Sequence, residues 1–217
     1  MSEAAAGRGL FVVFEGGDGV GKTTQVDLLV GWLADRGVAV VRTHEPGDTA
    51  LGRVLRRLVL DPRSGAVSPR TEALIYAADK AQHVEEVVRP ALDRGDVVVC
   101  DRYVDSMLAY QGAGRVLDAG EVGFVARWAT AGLAPDLTVL LDTEPGRAVA
   151  VKDAPDRLEA AGEEFHRLVR QGFLDLAAAD PGRYLVLGAR QDRQRIAEQV
   201  RAAVAGRMSD RWGILNP

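Results

Sequence analysis

The sequence predicts a doubly wound α/β fold, a five-stranded parallel sheet flanked by helices, on the strength of three observations. Five short runs of Val, Leu and Phe recur along the chain. Each is apolar at consecutive positions, as parallel strands covered on both faces require. Helical stretches fall between the runs, which is the β-α alternation of a parallel sheet. A glycine-rich bend stands directly behind the first run, at the strand end where such sheets bind their ligands.

The first strand is read at 10–15 (LFVVFE). Four glycines in the next six positions, Gly16, Gly17, Gly19 and Gly21, end it. A helix follows at 24–35, with Val26, Leu29, Val30 and Leu33 at helical spacing. The second strand, 38–42, leads to a helix at 51–60 and a long one at 70–94. The third, 97–100, precedes helices at 104–111 and 119–131. The fourth, 137–141, is followed by a helix at 157–178, and the fifth, 184–187, by one at 192–205. Crossovers should be right-handed. No linker interrupts the pattern, so residues 1–217 are read as one domain, with 1–9 and 206–217 as flexible tails.

Composition narrows the function classes. Hydrophobic residues are 47% and charged residues 27%, with a formal net charge of −4. A general nucleic-acid or membrane-surface binder would carry a basic excess, so neither partner is expected. A small anion remains compatible, because a few convergent arginines suffice. The single cysteine, Cys100, closes an apolar run and reads as a buried small side chain in a reducing, cytoplasmic setting. No apolar stretch approaches the ~20 residues of a membrane span.

Residues 16–23, "GGDGVGKT", match G-x-x-x-x-G-K-[ST] with a strand before and a helix after. Backbone N–H groups must converge on phosphate oxygens there, and the helix start adds its positive end. Gly16, Gly17, Asp18, Gly19, Val20, Gly21, Lys22, Thr23 and Thr24 form this loop, the expected nucleotide cradle. Lys22 supplies a point charge for the outer phosphates and Thr23 a hydroxyl for Mg²⁺. Asp101 ends the third strand where it can hold a water of the Mg²⁺ shell. Arg102 follows and can neutralise a transferring or acceptor phosphate. No N-K-x-D guanine reader and no ABC-type signature occurs, which leaves a kinase for small molecules as the leading class.

"FEGGDGVGKTTQ", "THEPGDTALG", "EALIYAADKAQH", "CDRYVDSMLAYQG", "ATAGLAPDLTVLLD" and "DRLEAAGEEFHRLVRQGFLDLA" stand in the order and spacing of bacterial thymidylate kinases. The chain resembles that family over roughly residues 10–204. The resemblance implies a P-loop nucleoside monophosphate kinase that passes the γ-phosphoryl group of ATP to dTMP with Mg²⁺, as a homodimer. It places Asp18 near the sugar hydroxyl and the reacting phosphates. It sets Glu45 and Pro46 beside the acceptor nucleotide, Arg56 and Arg102 on its phosphate, and Tyr76 against its base. It puts Gln111 at the base edge, with Ser106 and Tyr110 near by, and a lid at about 144–157 whose Arg157 joins catalysis.

The sequence departs from the family pattern on the acceptor side. His44 and Asp48 replace an arginine and a glycine of T-R-E-P-G-G-T, Met107 replaces a serine, and Lys80 stands for the arginine that reads the base carbonyl. The lid offers only Arg147, Lys152 and Arg157 as cations. Two further readings therefore stay open: a paralogue acting on a modified pyrimidine nucleotide or other phosphorylated acceptor, and a non-catalytic nucleotide-binding module. For the dimer, the helical stretches 81–88 and 122–129 are the expected contacts.

Overall fold

The computed structural model describes residues 8–144, 157–158 and 161–213. The elements run in order as β1 Leu10–Gly16, α1 Lys22–Ala34, β2 Val40–His44, α2 Ala50–Leu60, α3 Pro69–His83, α4 Arg89–Asp93, β3 Val97–Asp101 and α5 Val104–Met107. They continue as α6 Ala119–Ala129, β4 Leu137–Asp142, α7 Glu163–Ala179, β5 Tyr184–Gly188 and α8 Arg193–Trp212. The five strands are parallel in the order β2-β3-β1-β4-β5, so β1 is central and chain direction across the sheet reverses there. That is the switch point at which open α/β sheets open a crevice.

Alternation along β1 shows why its sequence is apolar from Leu10 to Phe14. Leu10, Val12 and Phe14 pack with Val26, Leu29 and Leu33 of α1 and with Ile196, Val200 and Val204 of α8. Phe11 and Val13 face the other side, against Val84, Val88, Ala91, Leu92 and Tyr103. Both faces are covered, so these five consecutive positions are apolar. The edge strands β2 and β5 are less buried, and β2 is correspondingly more polar.

Two long helices do not run as simple α-helix. The stretch expected at 70–94 widens into a π-helical turn at Val84–Val88 before α4. Pro90 lies just beyond, has no N–H to donate to residue 86, and its ring crowds that carbonyl. A second π turn, Leu108–Gly114, continues α5 and carries Tyr110 and Gln111. α7 starts at Glu163 rather than 157, behind Gly162 at φ 94°.

Gly9 and residues 206–212, expected to lie in flexible tails, are held by the fold. α8 reaches Trp212, Met208 is 2% exposed, and Arg211 pairs with Asp136. Gly9 donates its backbone N–H to Leu92 O at 2.7 Å. The flexible tail read from 206 is therefore helical to 212, because a buried face continues where the sequence turns polar. Residues 1–7 and 214–217, and Arg147 and Lys152 of the expected lid, lie outside the described residues. Among the described residues, no helix is long and apolar enough to cross a membrane.

Candidate active site

The site assembles where β1, β2 and β3 end. Gly16 closes β1 at φ 134°, and a Cβ there would stand 2.4 Å from Leu141 O. Only glycine fits so close a backbone approach. Gly21, at φ 95°, precedes α1 with no side-chain cap, which leaves the helix's first N–H groups for a ligand. Lys22 folds over the loop, donating to Gly17 O at 2.6 Å and Gly16 O at 3.1 Å. Burial, and then Arg102, push its ammonium down to about 8, against the upward pull of Asp101, Asp18 and Glu15.

Thr23 Oγ1 donates to Asp101 Oδ2 at 2.9 Å. Among the described residues no group of three or more His, Cys, Asp or Glu could cage a metal. Mg²⁺ needs no such cage, since it keeps waters and takes phosphate oxygens with one or two protein ligands. The hydroxyl-carboxylate pair beside the loop fits that mode.

Arg102 is the hub. It is a non-glycine residue at φ 71°, a left-handed conformation that costs of order 1 kcal/mol. Its guanidinium donates to Gly16 O (3.0 Å), Ser106 Oγ (3.1 Å) and Asp18 Oδ1 (2.6 Å), and its Cζ lies 5.2 Å from the Tyr110 ring centroid. Tyr110 Oη donates to Asp18 Oδ2 at 2.9 Å. Burial raises the Asp18 carboxyl, but Arg102 and Lys22 outweigh it and hold the group at about 2. Asp18 is thus a fixed anion between two cations.

Two clefts meet here. One is lined by the loop residues Asp18 to Thr24 with Asp101, and on the far wall by Gln25, Arg190, Gln191 and Arg193. The other is lined by Pro46, Leu60, Tyr76, Lys80, Ser106, Met107, Tyr110, Gln111 and Leu158. Asp18, Glu45, Arg56 and Arg102 line both. The exposed Arg56 Nη1 donates to Pro46 O at 2.7 Å, which sets the arginine against the turn after β2.

Behind the second cleft lies a buried polar chain. Lys80 Nζ donates to Glu45 Oε2 at 2.5 Å, and Glu45 Oε1 meets His83 Nδ1 at 2.7 Å. His83 Nε2 lies 2.6 Å from Thr43 Oγ1, which in turn bonds Asp48. Burial raises the Glu45 carboxyl, yet Lys80 and His83 carry it net below its ordinary value. The lysine expected to read a base carbonyl therefore lines the cleft but spends its ammonium on Glu45. A protonated amine 2% exposed must pair with the nearest buried carboxylate.

The expected lid residue Arg157 is also placed elsewhere. It donates to Val59 O at 2.7 Å and to Glu72 Oε2 at 3.3 Å, and it does not line the loop cleft. The buried Glu72 also takes Arg115 (3.1 Å) and Gln111 Nε2 (3.1 Å), and its uncompensated charge draws both arginines inward. Glu72, His83, Gln25 and the arginines after β5 escaped the sequence reading. Glu72 looks like an ordinary first-turn acid of a helix. Arg190 and Arg193 carried one signal, their place behind a strand end. Glu15, also missed, had the clearest signal, a charge inside an apolar strand.

The thymidylate kinase family model matches residues 14–200. The chain is 64% identical over 198 residues to the thymidylate kinase of Cutibacterium acnes, covering 91% of this chain and 97% of that one. It is 50% identical over 203 residues to that of Deinococcus radiodurans, covering 92% and 98%. The crystal structure of thymidylate kinase from Ehrlichia chaffeensis superposes with a TM-score of 0.74 at 31% identity, over 90% of this chain and 98% of that one. A P-loop at the switch point, a second cleft sharing four residues with it, and these likenesses agree: the chain belongs to the thymidylate kinase family.

Proposed function

We infer that the protein transfers the γ-phosphoryl group of ATP to dTMP, giving dTDP and ADP. The observation that carries this is the shared wall of the two clefts, Asp18, Glu45, Arg56 and Arg102. A donor phosphate on the P-loop and an acceptor phosphate in the second cleft would meet at Arg102. Phosphoryl transfer needs little else, because positioning and charge stabilisation supply most of the catalysis. Lys22 neutralises the moving phosphoryl, Arg56 and Arg102 hold the acceptor's phosphate, and Asp18 orients Arg102 and the sugar hydroxyl. Thr23 and Asp101 would hold Mg²⁺, which supplies countercharge to the donor phosphates.

Base selection follows from the second cleft. Tyr76 offers an aromatic face. Gln111 spends its amide N–H on Glu72, which leaves the amide oxygen as an acceptor for a pyrimidine N3–H. Thymine presents that donor and cytosine does not. The buried Met107 gives an apolar wall suited to a 5-methyl group. A coupled ADP assay over dTMP, dUMP, dCMP and 5-substituted analogues tests this. dTMP is expected to have the highest kcat/KM, and a value below ~10⁴ M⁻¹s⁻¹ beside a better acceptor would overturn it.

The 217 residues are proposed to act as one kinase domain in the cytoplasm, where the lone buried Cys100 stays reduced. A homodimer is also proposed, through α6 and its neighbour α3. Phe124 is 64% exposed, Trp128 77% and Leu74 60%, more apolar surface than a lone chain would leave in contact with water. The other stretch expected at the contact, 81–88, turns Val84 and Val88 into the core and is less suited. Sedimentation at micromolar concentration should give a dimer, and Trp128→Glu should shift it to monomer; a monomeric wild type would refute the interface.

A further inference from the structure

We propose that Glu15 is a positioning residue for phosphoryl transfer, bolting the strained Arg102 turn to the strand that carries the P-loop. Glu15 immediately precedes Gly16 and is 0% exposed, so it touches neither nucleotide. Its Oε1 accepts the backbone N–H groups of Tyr103 (2.8 Å) and Ser106 (3.0 Å), and its Oε2 accepts the Ser106 hydroxyl at 2.6 Å. Ser106 Oγ in turn accepts from Arg102 Nη1 at 3.1 Å.

The backbone pattern is more telling than the side-chain chain. Arg102 N–H donates to Phe14 O at 2.9 Å, and the next N–H, of Tyr103, goes to Glu15. The two amides flanking the left-handed Arg102 are thus held by two consecutive residues of β1, one through its backbone and one through its side chain. A non-glycine residue keeps such a conformation only when its surroundings over-determine it. Without Glu15 one of the two holds is gone, and Arg102 can relax away from the point where the clefts meet.

A carboxylate is required because only an ionised one accepts three hydrogen bonds on two oxygens with no proton to place. The charged neighbours are Asp105 on α5 and Arg102 itself, with Lys22 of α1, Cys100 of β3 and Tyr184 of β5 also within electrostatic reach. Burial, and then Asp105, push the carboxyl up to about 7, against the opposing pull of Arg102 and of the Ser106 and Tyr103 bonds. Below that value the group gains a proton on an oxygen that now accepts, and the bolt loosens. Activity resting on it should fall as pH drops through about 7.

This inference rests on Arg102 acting at the acceptor phosphate. Glu15→Gln keeps the shape and removes the charge. It is expected to lower kcat/KM for dTMP by ~10- to 100-fold, the cost of misplacing a clamp by about 1 Å. The same change in an Arg102→Ala background should cost less than about threefold, since the two act as one unit. The wild-type acid limb in kcat/KM near pH 7 should be missing from Glu15→Gln. Unchanged kcat/KM in Glu15→Gln, an equal loss in both backgrounds, or a retained acid limb would each overturn the proposal. Should Glu15→Gln fail to fold, Ser106→Ala breaks the side-chain link alone; its loss must likewise vanish beside Arg102→Ala, or the proposal fails. An Arg102→Ala protein with wild-type acceptor kinetics would instead refute the underlying assignment of Arg102.

Discussion

Lys22→Met should lower kcat for phosphoryl transfer by ~10²-fold or more, while the protein stays folded and melts no lower than wild type. Among the described residues this ammonium is the one lysine charge set over the loop, and it is buried and held by Gly16 O and Gly17 O. Removing a preorganised charge from a transferring group costs ~3 kcal/mol, or ~10²-fold in rate. Stability should move the other way or not at all. Burial, and then Arg102, lower this lysine from 10.5 to about 8, so the fold disfavours its charged form. Between those two values the unfolded chain binds more protons than the folded one, so stability rises with pH across that window. Methionine keeps the stem volume and removes the charge, so that pH dependence should disappear with it. Thermal melts between pH 7 and 10, beside initial rates in the coupled assay, measure both. Near wild-type turnover would refute the donor site, and a large drop in Tm would show that Lys22 stabilises the loop rather than straining it.

The outcome at Lys22 depends on features that were plain in the sequence, because the P-loop is a continuous string whose geometry is local. The sheet was legible for a similar reason. Strands covered on both faces are apolar at consecutive positions, as Leu10–Phe14 of β1 and Val97–Cys100 of β3 are. Their ends were less legible. β1, β3, β4 and β5 each run one residue past the expected strand, to Gly16, Asp101, Asp142 and Gly188, because the hydrogen-bonded ladder continues there, and two of these, Gly16 and Asp101, serve the site. β2 is displaced towards Thr43 and His44, which are polar yet still ladder members on an edge strand. What the sequence could not disclose was partnership. Motifs specify residue types, whereas Arg157 meets Glu72 across 85 positions and Lys80 meets Glu45 across 35. A lone cation in a motif looks ready for a substrate, and only the fold reveals that a buried carboxylate has claimed it.

Lys80→Ala should therefore destabilise the protein and weaken acceptor turnover without relaxing base choice. Taking one partner from a buried ion pair costs ~3–5 kcal/mol, because the other charge stays behind undercompensated. In a protein of this size that is a fall of about 6–20 °C in Tm. Glu45 would keep only His83, and its carboxyl, now held net below its ordinary value by Lys80 and His83 against burial, would move up. In the wild type the stability due to this carboxylate is present above the range where an unfolded glutamate titrates and is lost as pH falls through its lower folded value. The variant should begin losing stability at a higher pH. Glu45 opens the Glu45–Pro46 turn against which Arg56 is set, so kcat/KM for dTMP should also fall, by ~10-fold or more. The decisive quantity is the ratio of kcat/KM for dTMP to that for dCMP. A lysine that donates to the base carbonyl discriminates against the amino group cytosine carries there, and losing it would collapse the ratio by ~10-fold or more. A lysine that holds Glu45 lowers both values together and leaves the ratio within about threefold. Lys80→Arg keeps a charge for Glu45, but its planar fork must enter a site built around a single ammonium. It should recover much of the Tm and little of the turnover, and full recovery of both, with a sharper ratio, would return Lys80 to the base edge.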